Sequence, residues 1–421
     1  MTEIKLRQAK LPQGWQIKKL GEVAKAIYGF TEKASFEEIG PKFLRITDIQ
    51  NDGVNWDTVP FCKISAIDMG KYQLNTGDIV FARTGATTGK SYLVNNPPES
   101  VFASYLIKVN ITDIRLSPEY LFLFFQTKTY WDKINAGISG SAQGGFNATK
   151  LSELEIPIPP LPEQQRIVSI LDEAFAAIAK AKANAEQNLK NAKGLFASYL
   201  QGVFEKKGEG WEEKKLIEIT TKIGSGATPK GGNESYKTVG ISLVRSMNVH
   251  DFEFRNRNLA FIDEQQAKNL NNVTLQESDV LFNITGASVA RCCVMPKEYL
   301  PARVNQHVSI IRAIKEVIEP IFLNLLLTSK FYKDQLLFTG EQGATRQAIT
   351  KAQLEVFKVA LPPLKVQQTI VAKVDALSTE TKKLEVIYQQ KVVDLEELKK
   401  SVLQMAFNGE LKTKKLSMVI K

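Results

Sequence analysis

The chain has few of the residues that build metal centres and catalytic triads. Its 421 residues include only three cysteines and two histidines, His250 and His307. The cysteines, Cys62, Cys292 and Cys293, lack the spacing of a zinc site, and the adjacent pair does not suit a disulfide. We therefore expect no metal site, no Ser/His/Asp centre and reduced thiols, as in the cytoplasm.

Long apolar stretches are also missing. The longest apolar runs, 120–125 and 321–327, are far shorter than the ~20 residues that cross a bilayer. The first residues carry charges throughout and have no apolar core, so we expect no signal peptide. These two features predict a cytoplasmic protein with no membrane partner.

Positive charge is in excess. The net charge is +10 and the isoelectric point about 9.2, which favours a polyanionic ligand, although many basic proteins bind none. The proline-free segment 163–205 holds five basic and five acidic residues, and its counterpart 365–407 holds seven and six. Most of the positive charge therefore lies outside these two segments.

The most informative property of the chain is an internal repeat, in which the second half of the sequence resembles the first. The stretch 14–20 (GWQIKKL) returns as 210–216 (GWEEKKL), 77–81 (GDIVF) as 278–282 (SDVLF), and 84–86 (TGA) as 285–287. The proline-rich stretch 159–165 also returns, as 362–368, and the offset drifts only from 196 to 203 along the copies. A period this long is not that of a solenoid. It predicts a duplicated domain-plus-helix unit, and a ligand with two similar but non-identical halves.

Each copy is expected to be an α+β domain followed by a long helix. The expected parts are a first globular domain (1–162), a first long helix (163–205), a second globular domain (206–364), a second long helix (365–411) and a basic tail (412–421). Within the first domain, Ser117 and Pro118 predict the start of one helix over 120–134, with its counterpart over 321–336. Glycine-rich loops are predicted at 137–145 and 340–343.

The two long segments have a heptad seam of apolar residues, which predicts an antiparallel coiled coil within the chain. The alternative is that each amphipathic helix packs on its own domain. The polar residues Asn188 and Lys391 fall at equivalent seam positions and are expected to fix the register. The seam residues that would hold the helices together include Ile167, Leu171, Ile178, Leu195, Tyr199, Val374, Leu377, Leu384, Leu395 and Leu398.

Two stretches resemble catalytic motifs but lack essential parts. Residues 84–91 (TGATTGKS) approach a phosphate-binding P-loop, but the first glycine is one place late and the second copy has no Gly-Lys pair. A hairpin with one cation per copy, Lys90 or Arg291, fits both copies. Residues 96–99 (NPPE) lack the aromatic residue that amino-methyltransferases use to stack a base, and predict a turn. No catalytic centre is visible.

What remains is a candidate DNA-binding surface on strand ends, hairpin turns and glycine loops. Residues of these types hold phosphates and read base edges. The same residues could equally be ion-paired, stem-packed or solvated side chains without a ligand. The candidates are Arg45, Arg83, Thr84, Lys90, Ser141, Gln143 and Asn147 in the first copy, and Arg245, Asn283, Thr285, Arg291, Gln342, Thr345, Arg346 and Gln347 in the second.

Nearly the whole chain resembles the specificity subunits of type I restriction–modification enzymes. The resemblance rests on Gly-Trp…Leu at 14–20 and 210–216, Thr-Pro at 228–229, residues 77–90 and the PPLPEQQR stretch at 159–166 with its copy. The sequence departs from the pattern at 28–31 (YGFT), where Gly-Thr-Pro is expected, and in the second copy, which lacks Gly89 and Lys90.

The resemblance implies a non-catalytic subunit that reads double-stranded DNA. Each globular part would be a target-recognition domain for one half of a split, asymmetric site, and the paired helices would set the spacer. Partners would be two methyltransferase subunits and motor–nuclease subunits, which would hold S-adenosylmethionine, ATP and magnesium. The alternatives are a coiled-coil scaffold that binds protein, and an ATP-driven enzyme that uses residues 84–91.

Overall fold

The computed structural model describes residues 11–50, 53–139, 145–341 and 348–411. By its internal contacts the chain divides into two units, and both boundaries fall inside the long helices. Unit 1 comprises residues up to 185 together with residues from 390 onward, and unit 2 comprises 186–389. Each unit therefore contains one globular domain and a part of both long helices.

The globular part of unit 1 is built on a four-stranded antiparallel sheet in the order β2-β9-β6-β7. Strands β1 and β10 pair antiparallel, and β3 and β8 pair in parallel. The strands are β1 (Gln16–Lys19), β2 (Ala24–Tyr28), β3 (Lys42–Leu44), β4 (Ile49–Gln50), β5 (Gly53–Val54), β6 (Ile79–Ala82), β7 (Ser91–Leu93), β8 (Ser100–Phe102), β9 (Leu106–Ile111) and β10 (Glu155–Ile158). The helices are α1 (Leu20–Val23), α2 (Ala66–Tyr72), α3 (Pro118–Phe124), α4 (Lys128–Ser139), α5 (Ala148–Ser152) and α6 (Leu161–Lys206).

Unit 2 repeats this arrangement. Its four-stranded sheet has the order β12-β20-β17-β18, and its parallel pair is β13 with β19. The strands are β11 (Glu212–Lys215), β12 (Thr220–Ser225), β13 (Ile241–Val244), β14 (Val249–His250), β15 (Glu253–Phe254), β16 (Ala260–Ile262), β17 (Val280–Asn283), β18 (Cys292–Val294), β19 (Ala302–Val304), β20 (Val308–Ala313) and β21 (Lys358–Leu361). The helices are α7 (Leu216–Ile219), α8 (Glu264–Lys268), α9 (Pro320–Thr328), α10 (Lys330–Glu341), α11 (Lys351–Val356) and α12 (Leu364–Phe407).

The predicted helix over 120–134 is two helices, and so is its counterpart. Ser117 caps α3 as predicted, since its side chain accepts a hydrogen bond from the backbone N–H of Tyr120. The chain then breaks at Thr127, whose hydroxyl bonds back to the carbonyl of Phe124 and accepts from the N–H of Tyr130. Ser329 makes the equivalent bonds between α9 and α10. A side chain that competes for backbone groups in this way ends one helix and starts the next.

The predicted glycine loops begin later than expected. Gly137 and Gly340 lie inside α4 and α10. A Cβ on Gly137 would stand 2.5 Å from the ring of Phe146, so this glycine allows close packing rather than a turn. Residues 140–144 and 342–347 lie outside the described part of the chain.

The two long helices pair antiparallel, as the seam predicts. In unit 1 the start of α6 packs against the end of α12, bringing Leu171 and Ala174 into one core with Leu403 and Phe407. In unit 2 the end of α6 packs against the start of α12, bringing Leu200 and Phe204 into one core with Ile370 and Val374. Within unit 1, Lys182 of α6 also pairs with Glu396 of α12. The helices therefore complete the cores of both domains.

The seam itself departs from a strict heptad. Ile167, Leu171, Ile178 and Val374 are buried, and Tyr199, Leu377, Leu395 and Leu398 are half-buried. Leu195 is 46% exposed and Leu384 36% exposed, so their placement in the interface was wrong. Near the end of α6, Phe196 and Leu200 pack into the core instead. A straight helix has 3.6 residues per turn, so a strict 3.5-residue pattern drifts off the interface.

The polar residues Asn188 and Lys391 are both exposed. The prediction that they fix the register from inside the seam was therefore wrong. Small buried residues, Ala185 and Ala192, occupy the middle of α6 instead. Alanine at these positions allows two helix axes to approach closely.

One buried glutamine per unit joins the long helix to its globular domain. The side chain of Gln164 donates to the carbonyls of Arg115 and Pro159 at 2.7 and 2.8 Å, and accepts from the N–H of Ser117 at 2.8 Å. In unit 2, the side chain of Gln367 donates to the carbonyls of Val317 and Pro362 and accepts from the N–H of Glu319. Neither glutamine is exposed to solvent. The repeated Pro-Pro-Leu…Gln-Gln motif therefore fixes the junction between helix and domain.

The aspartate of the repeated stretch 77–81 and 278–282 has an equally structural role. Asp78 lies 3.5 Å from the ammonium of Lys108, and Asp279 makes two bonds of 2.7 and 2.8 Å to the guanidinium of Arg312. Both carboxylates also accept a backbone N–H from the turn before β6 or β17. Each pair joins two neighbouring strands of the main sheet.

We predict that Gln164→Ala and Gln367→Ala each destabilise the fold by about 2–3 kcal/mol. Each change leaves buried backbone N–H and C=O groups without partners, which costs ~1–3 kcal/mol per group before relaxation. Urea unfolding followed by circular dichroism measures the effect. The adjacent residues Gln165 and Gln368 are exposed, and their alanine variants are the matched controls. Equal loss of stability in variant and control would contradict the junction role.

Candidate nucleic-acid interface

Several of the predicted DNA-binding residues of unit 1 meet at the turn that joins β8 to β9. Here the N–H of Ala103 donates to the carbonyl of Leu44, and the N–H of Arg83 donates to the carbonyl of Tyr105. The ends of β3 and β6 therefore lie against residues 103–105, which brings Arg45 and Arg83 to one edge of the domain. Both arginines follow the last residue of a strand, as the sequence predicts.

Arg83 is held in a fixed position, and part of its guanidinium makes no hydrogen bond within the described residues. Its Nε donates to the carbonyl of Ser104 at 2.9 Å, and its guanidinium lies 5.2 Å from the ring centre of Tyr28. Its terminal amino groups have no partner among the described residues. Tyr28 and Tyr105 beside it are 43% and 59% exposed. A cation over one exposed aromatic ring, with a second exposed aromatic residue beside it in the turn, suits a nucleic acid, through phosphate contact and base stacking.

Arg45 is already paired within the domain. Its guanidinium bonds both carboxylate oxygens of Asp48, at 3.1 and 2.8 Å, and this contact raises its pKa above the ordinary value. The carboxylate offsets its charge. The arrangement favours a structural role for Arg45 over a phosphate contact.

The hairpin between β6 and β7 has two glycines with different roles. Gly89 has a positive φ of 95°, and a Cβ there would lie 2.8–2.9 Å from the side chains of Ile134 and Trp131. This glycine therefore packs against α4 and does not admit a ligand. Gly85, with φ of 78°, has open space around it, and so does Gly286 in unit 2. The repeated Thr-Gly-Ala stretch is thus where a DNA backbone could approach closely.

The remaining candidates of unit 1 have contacts of their own. The ammonium of Lys90 donates to the carbonyl of Ile49 at 3.1 Å, next to the turn of residues 46–48 that follows Arg45. Thr84 is half-buried in the hairpin turn. The side chain of Asn147 accepts from the N–H of Lys150 and so caps α5, which occupies its oxygen but not its amide hydrogens. Lys90 and Thr84 therefore stay near the arginines, while Asn147 has a structural contact.

Arg245 of unit 2 matches Arg45 in position but not in partners. The residue three places on is Asn248, whose side chain accepts from the Arg245 backbone N–H at 3.1 Å and carries no charge. The Arg245 guanidinium donates to the carbonyl of Asn258 and lies 5.3 Å from the ring centre of Tyr236. Its Nε is buried without a hydrogen bond. Among the described residues no carboxylate offsets its charge.

Asn283 cannot contact DNA in this fold. Its side chain is fully buried, and its amide donates to the carbonyl of Ser246 at 2.9 Å and to the hydroxyl of Ser288 at 3.2 Å. The residue fixes the hairpin after β17 to the turn after β13. The prediction of Asn283 as a DNA contact was therefore wrong, because its position at a strand end did not reveal its burial.

The turn that joins β19 to β20 in unit 2 contains a polar cluster that sequence reasoning missed. The hydroxyl of Thr285 lies 2.7 Å from Nδ1 of His307, and the amide nitrogen of Gln306 lies 3.1 Å from Nε2 of that ring. The Thr228 hydroxyl bonds the Gln306 side-chain oxygen. Only Thr285 was predicted as a candidate. The rarity of histidine was the one available signal, and it pointed only to the absence of a metal site.

Arg291 follows the second hairpin at a half-buried position, and its side chain has no hydrogen bond or ion pair within the described residues. The glycine-loop candidates Ser141, Gln143, Gln342, Thr345, Arg346 and Gln347 lie outside the described part of the chain, so their role stays a prediction. No helix among the described residues is long and apolar enough to cross a membrane.

Both halves of the chain match one family model, described as the type I restriction modification DNA specificity domain, over residues 12–190 and 208–390. The chain belongs to this family. The two matches coincide with the internal repeat and include most of α6 and α12. The resemblance inferred from the sequence motifs is therefore confirmed.

Relatives of the chain align along nearly its whole length. It is 24% identical to the putative type I restriction enzyme MjaX specificity subunit of Methanocaldococcus jannaschii, covering 96% of this chain and 95% of that protein. It is also 24% identical to the type I restriction enzyme EcoKI specificity subunit of Escherichia coli, covering 96% and 90%. The solved HsdS subunit of Thermoanaerobacter tengcongensis has the same fold, with a TM-score of 0.66, 19% identity and coverage of 96% and 99%.

We predict that Arg245→Ala weakens DNA binding more than Arg45→Ala and lowers the salt slope by about one unit. A cation without a carboxylate partner can neutralise a phosphate and release its counterion, whereas the charge of Arg45 is already offset by Asp48. Titrations of duplex DNA at several salt concentrations measure both quantities. Equal slopes for the two variants would show that Arg245 does not contact a phosphate.

Proposed function

We propose that the chain is the DNA-recognition subunit of a type I restriction–modification assembly and has no catalytic role of its own. Each unit reads one half of a split, asymmetric site. The observation that carries the proposal is a repeated scaffold with different polar side chains at one edge. Unit 1 presents Arg83 over the ring of Tyr28 and beside the turn that carries Tyr105, and unit 2 presents Gln306 and His307 at the equivalent turn. Two unlike readers on one scaffold suit two unlike half-sites.

The long helices set the spacing between the half-sites in this proposal. Helix α6 has 46 residues and α12 has 44, and 1.5 Å per residue makes each more than 60 Å long. Because each helix contributes to the core of both units, neither unit can be moved along the helices without unpacking its core. Half-sites read in successive turns of DNA are ~34 Å apart, a distance that helices of this length can span.

The chemistry of the assembly belongs to partner subunits in this proposal. Two methyltransferase subunits and motor–nuclease subunits bind S-adenosylmethionine, ATP and magnesium. The family and the named relatives support this assignment, as does a similar chain, with a TM-score of 0.68, from a structural study of complex assembly in the type I R-M system. A protein-binding scaffold is the competing function, and it has no need for two different sets of polar side chains at equivalent turns.

We predict that exchanging residues 11–162 for the first domain of another family member changes only one half of the methylated sequence. The buried junction and the helix pair keep the second domain in place, so its readout should persist. Single-molecule sequencing of host DNA identifies the methylated motif. Changes in both halves, or in neither, would contradict two independent readers.

We also predict that removing one heptad from the middle of both long helices shortens the spacer by about three base pairs. Seven residues at 1.5 Å correspond to ~10 Å, and a paired deletion keeps the two seams aligned. The same methylome measurement reads the spacer length. A matched control replaces the exposed residues of those heptads with alanine and should leave the spacer unchanged. An active complex with the original spacer after deletion would exclude the ruler role.

A further inference from the structure

The turn of residues 305–307, between β19 and β20, has the properties of a preorganised reading element. Its backbone is fixed on three sides. The N–H of Asn305 donates to the carbonyl of Val244, the carbonyl of Asn305 accepts from Gly226, and the carbonyl of His307 accepts from Ile284, all at 3.0–3.1 Å. Asn305 is buried, whereas Gln306 is exposed. A rigid backbone thus presents one polar side chain to solvent.

Gly226 places Thr228 beside Gln306. A Cβ on Gly226 would lie 1.8 Å from the carbonyl oxygen of Val304, so only glycine lets this segment run against the end of β19. In unit 1, a Cβ on Gly29 would lie 2.2 Å from the carbonyl oxygen of Ala103. The repeated glycine therefore keeps the segment carrying Thr31 or Thr228 against the turn in both units.

The side chains around Gln306 form a continuous hydrogen-bond chain from Thr228 through Gln306 and His307 to Thr285. Both ring nitrogens of His307 are used within it. Whichever way the amide is oriented, one N–H and one oxygen lone pair of Gln306 remain unused. The exposed amide therefore offers one hydrogen-bond donor and one acceptor.

We propose that Gln306 is a specificity-determining residue of unit 2 and that its amide selects adenine in the major groove. Adenine presents one acceptor there, N7, beside one donor, N6–H, whereas guanine presents two acceptors. His307 is a positioning residue that holds the amide through its ring. The proposal rests on the function proposed above, and it assigns recognition of the unit 2 half-site to this turn.

The corresponding turn of unit 1 strengthens the assignment. Ser104 and Tyr105 replace Gln306 and His307, while the backbone bonds from Leu44 and Arg83 to residues 103 and 105 are the same as in unit 2. Backbone geometry is thus retained while the side chains change in size, polarity and charge environment. A structural turn has no need for this divergence, but two readers of different half-sites do.

The test compares Gln306→Ala, Gln306→Glu and His307→Ala in the full chain, expressed in its host in place of the original gene. The methylated motif is determined by single-molecule sequencing. Gln306→Ala should reduce discrimination at one A·T pair of one half-site by roughly tenfold, equivalent to ~1.4 kcal/mol. Gln306→Glu should disfavour adenine there, because a carboxylate has no hydrogen to donate to N7. His307→Ala should relax the same base pair while leaving the thermal midpoint of unfolding and the other half-site unchanged.

Gln265 is the matched control, because it is an exposed glutamine of the same unit, on α8, without side-chain bonds in the described chain. Gln265→Ala should leave the motif intact. If the wild-type chain restores no bipartite methylated motif, the proposed function fails. If the wild-type chain restores one and the Gln306 variants leave it unchanged, or relax a base pair other than A·T, the assignment of Gln306 is overturned.

Discussion

The buried glutamine at the start of each long helix is the contact on which the architecture depends. Gln164 and Gln367 join the first turn of a helix to the segment that precedes α3 or α9. Side chains without solvent access that satisfy three backbone groups leave little freedom for the helix to change direction. The direction of the helix relative to its domain is thereby defined, and the packing of the second helix follows from it.

Within each unit, some residues pack the interior and others form the turns of the candidate DNA-binding edge. The repeated motifs, including the Gly-Trp stretch, the aspartate before β6 or β17 and the proline-rich exit, all make contacts inside a unit. Several of the candidate DNA-contacting side chains differ between the copies and lie on the turns at 83–90 and 103–105 and on their counterparts. Conserved packing and variable turns are the arrangement expected of a scaffold that carries exchangeable binding loops.

The repeat, the fold class and the helix pairing could be predicted because they depend on patterns that extend over tens of residues. The local errors have local causes. The break at Thr127 depends on one hydroxyl that bonds back to the preceding turn, and the position of Leu195 depends on accumulated helical drift. Neither the hydroxyl bond nor the helical drift is visible in the spacing of apolar and polar residues along the sequence.

The candidate site was harder to predict than the fold. Arg45, Arg83 and Arg245 were correctly placed at strand ends, but the sequence did not show that Asp48 offsets one of these charges while Asn248 leaves another without a carboxylate. Asn283 was predicted as a DNA contact because it stands at a strand end, at the position that Arg83 occupies in the first copy, and its burial depends on contacts from residues 246 and 288. Gln306 and His307 could not be recognised as candidate site residues from the sequence, because their cluster is completed by Thr228 and Thr285, which are distant in sequence.

The helix pairing also determines the order in which the molecule can form during synthesis. Val402, Leu403, Ala406, Phe407 and Leu411 complete the core of unit 1, although they are translated almost four hundred residues after its first strand. Unit 2 lies within one continuous segment and acquires its whole core earlier. Domains usually fold in the order in which they leave the ribosome, but here the N-terminal unit is the last to close. A nascent chain therefore exposes an incomplete apolar surface on its first domain until residues 402–411 have left the ribosome.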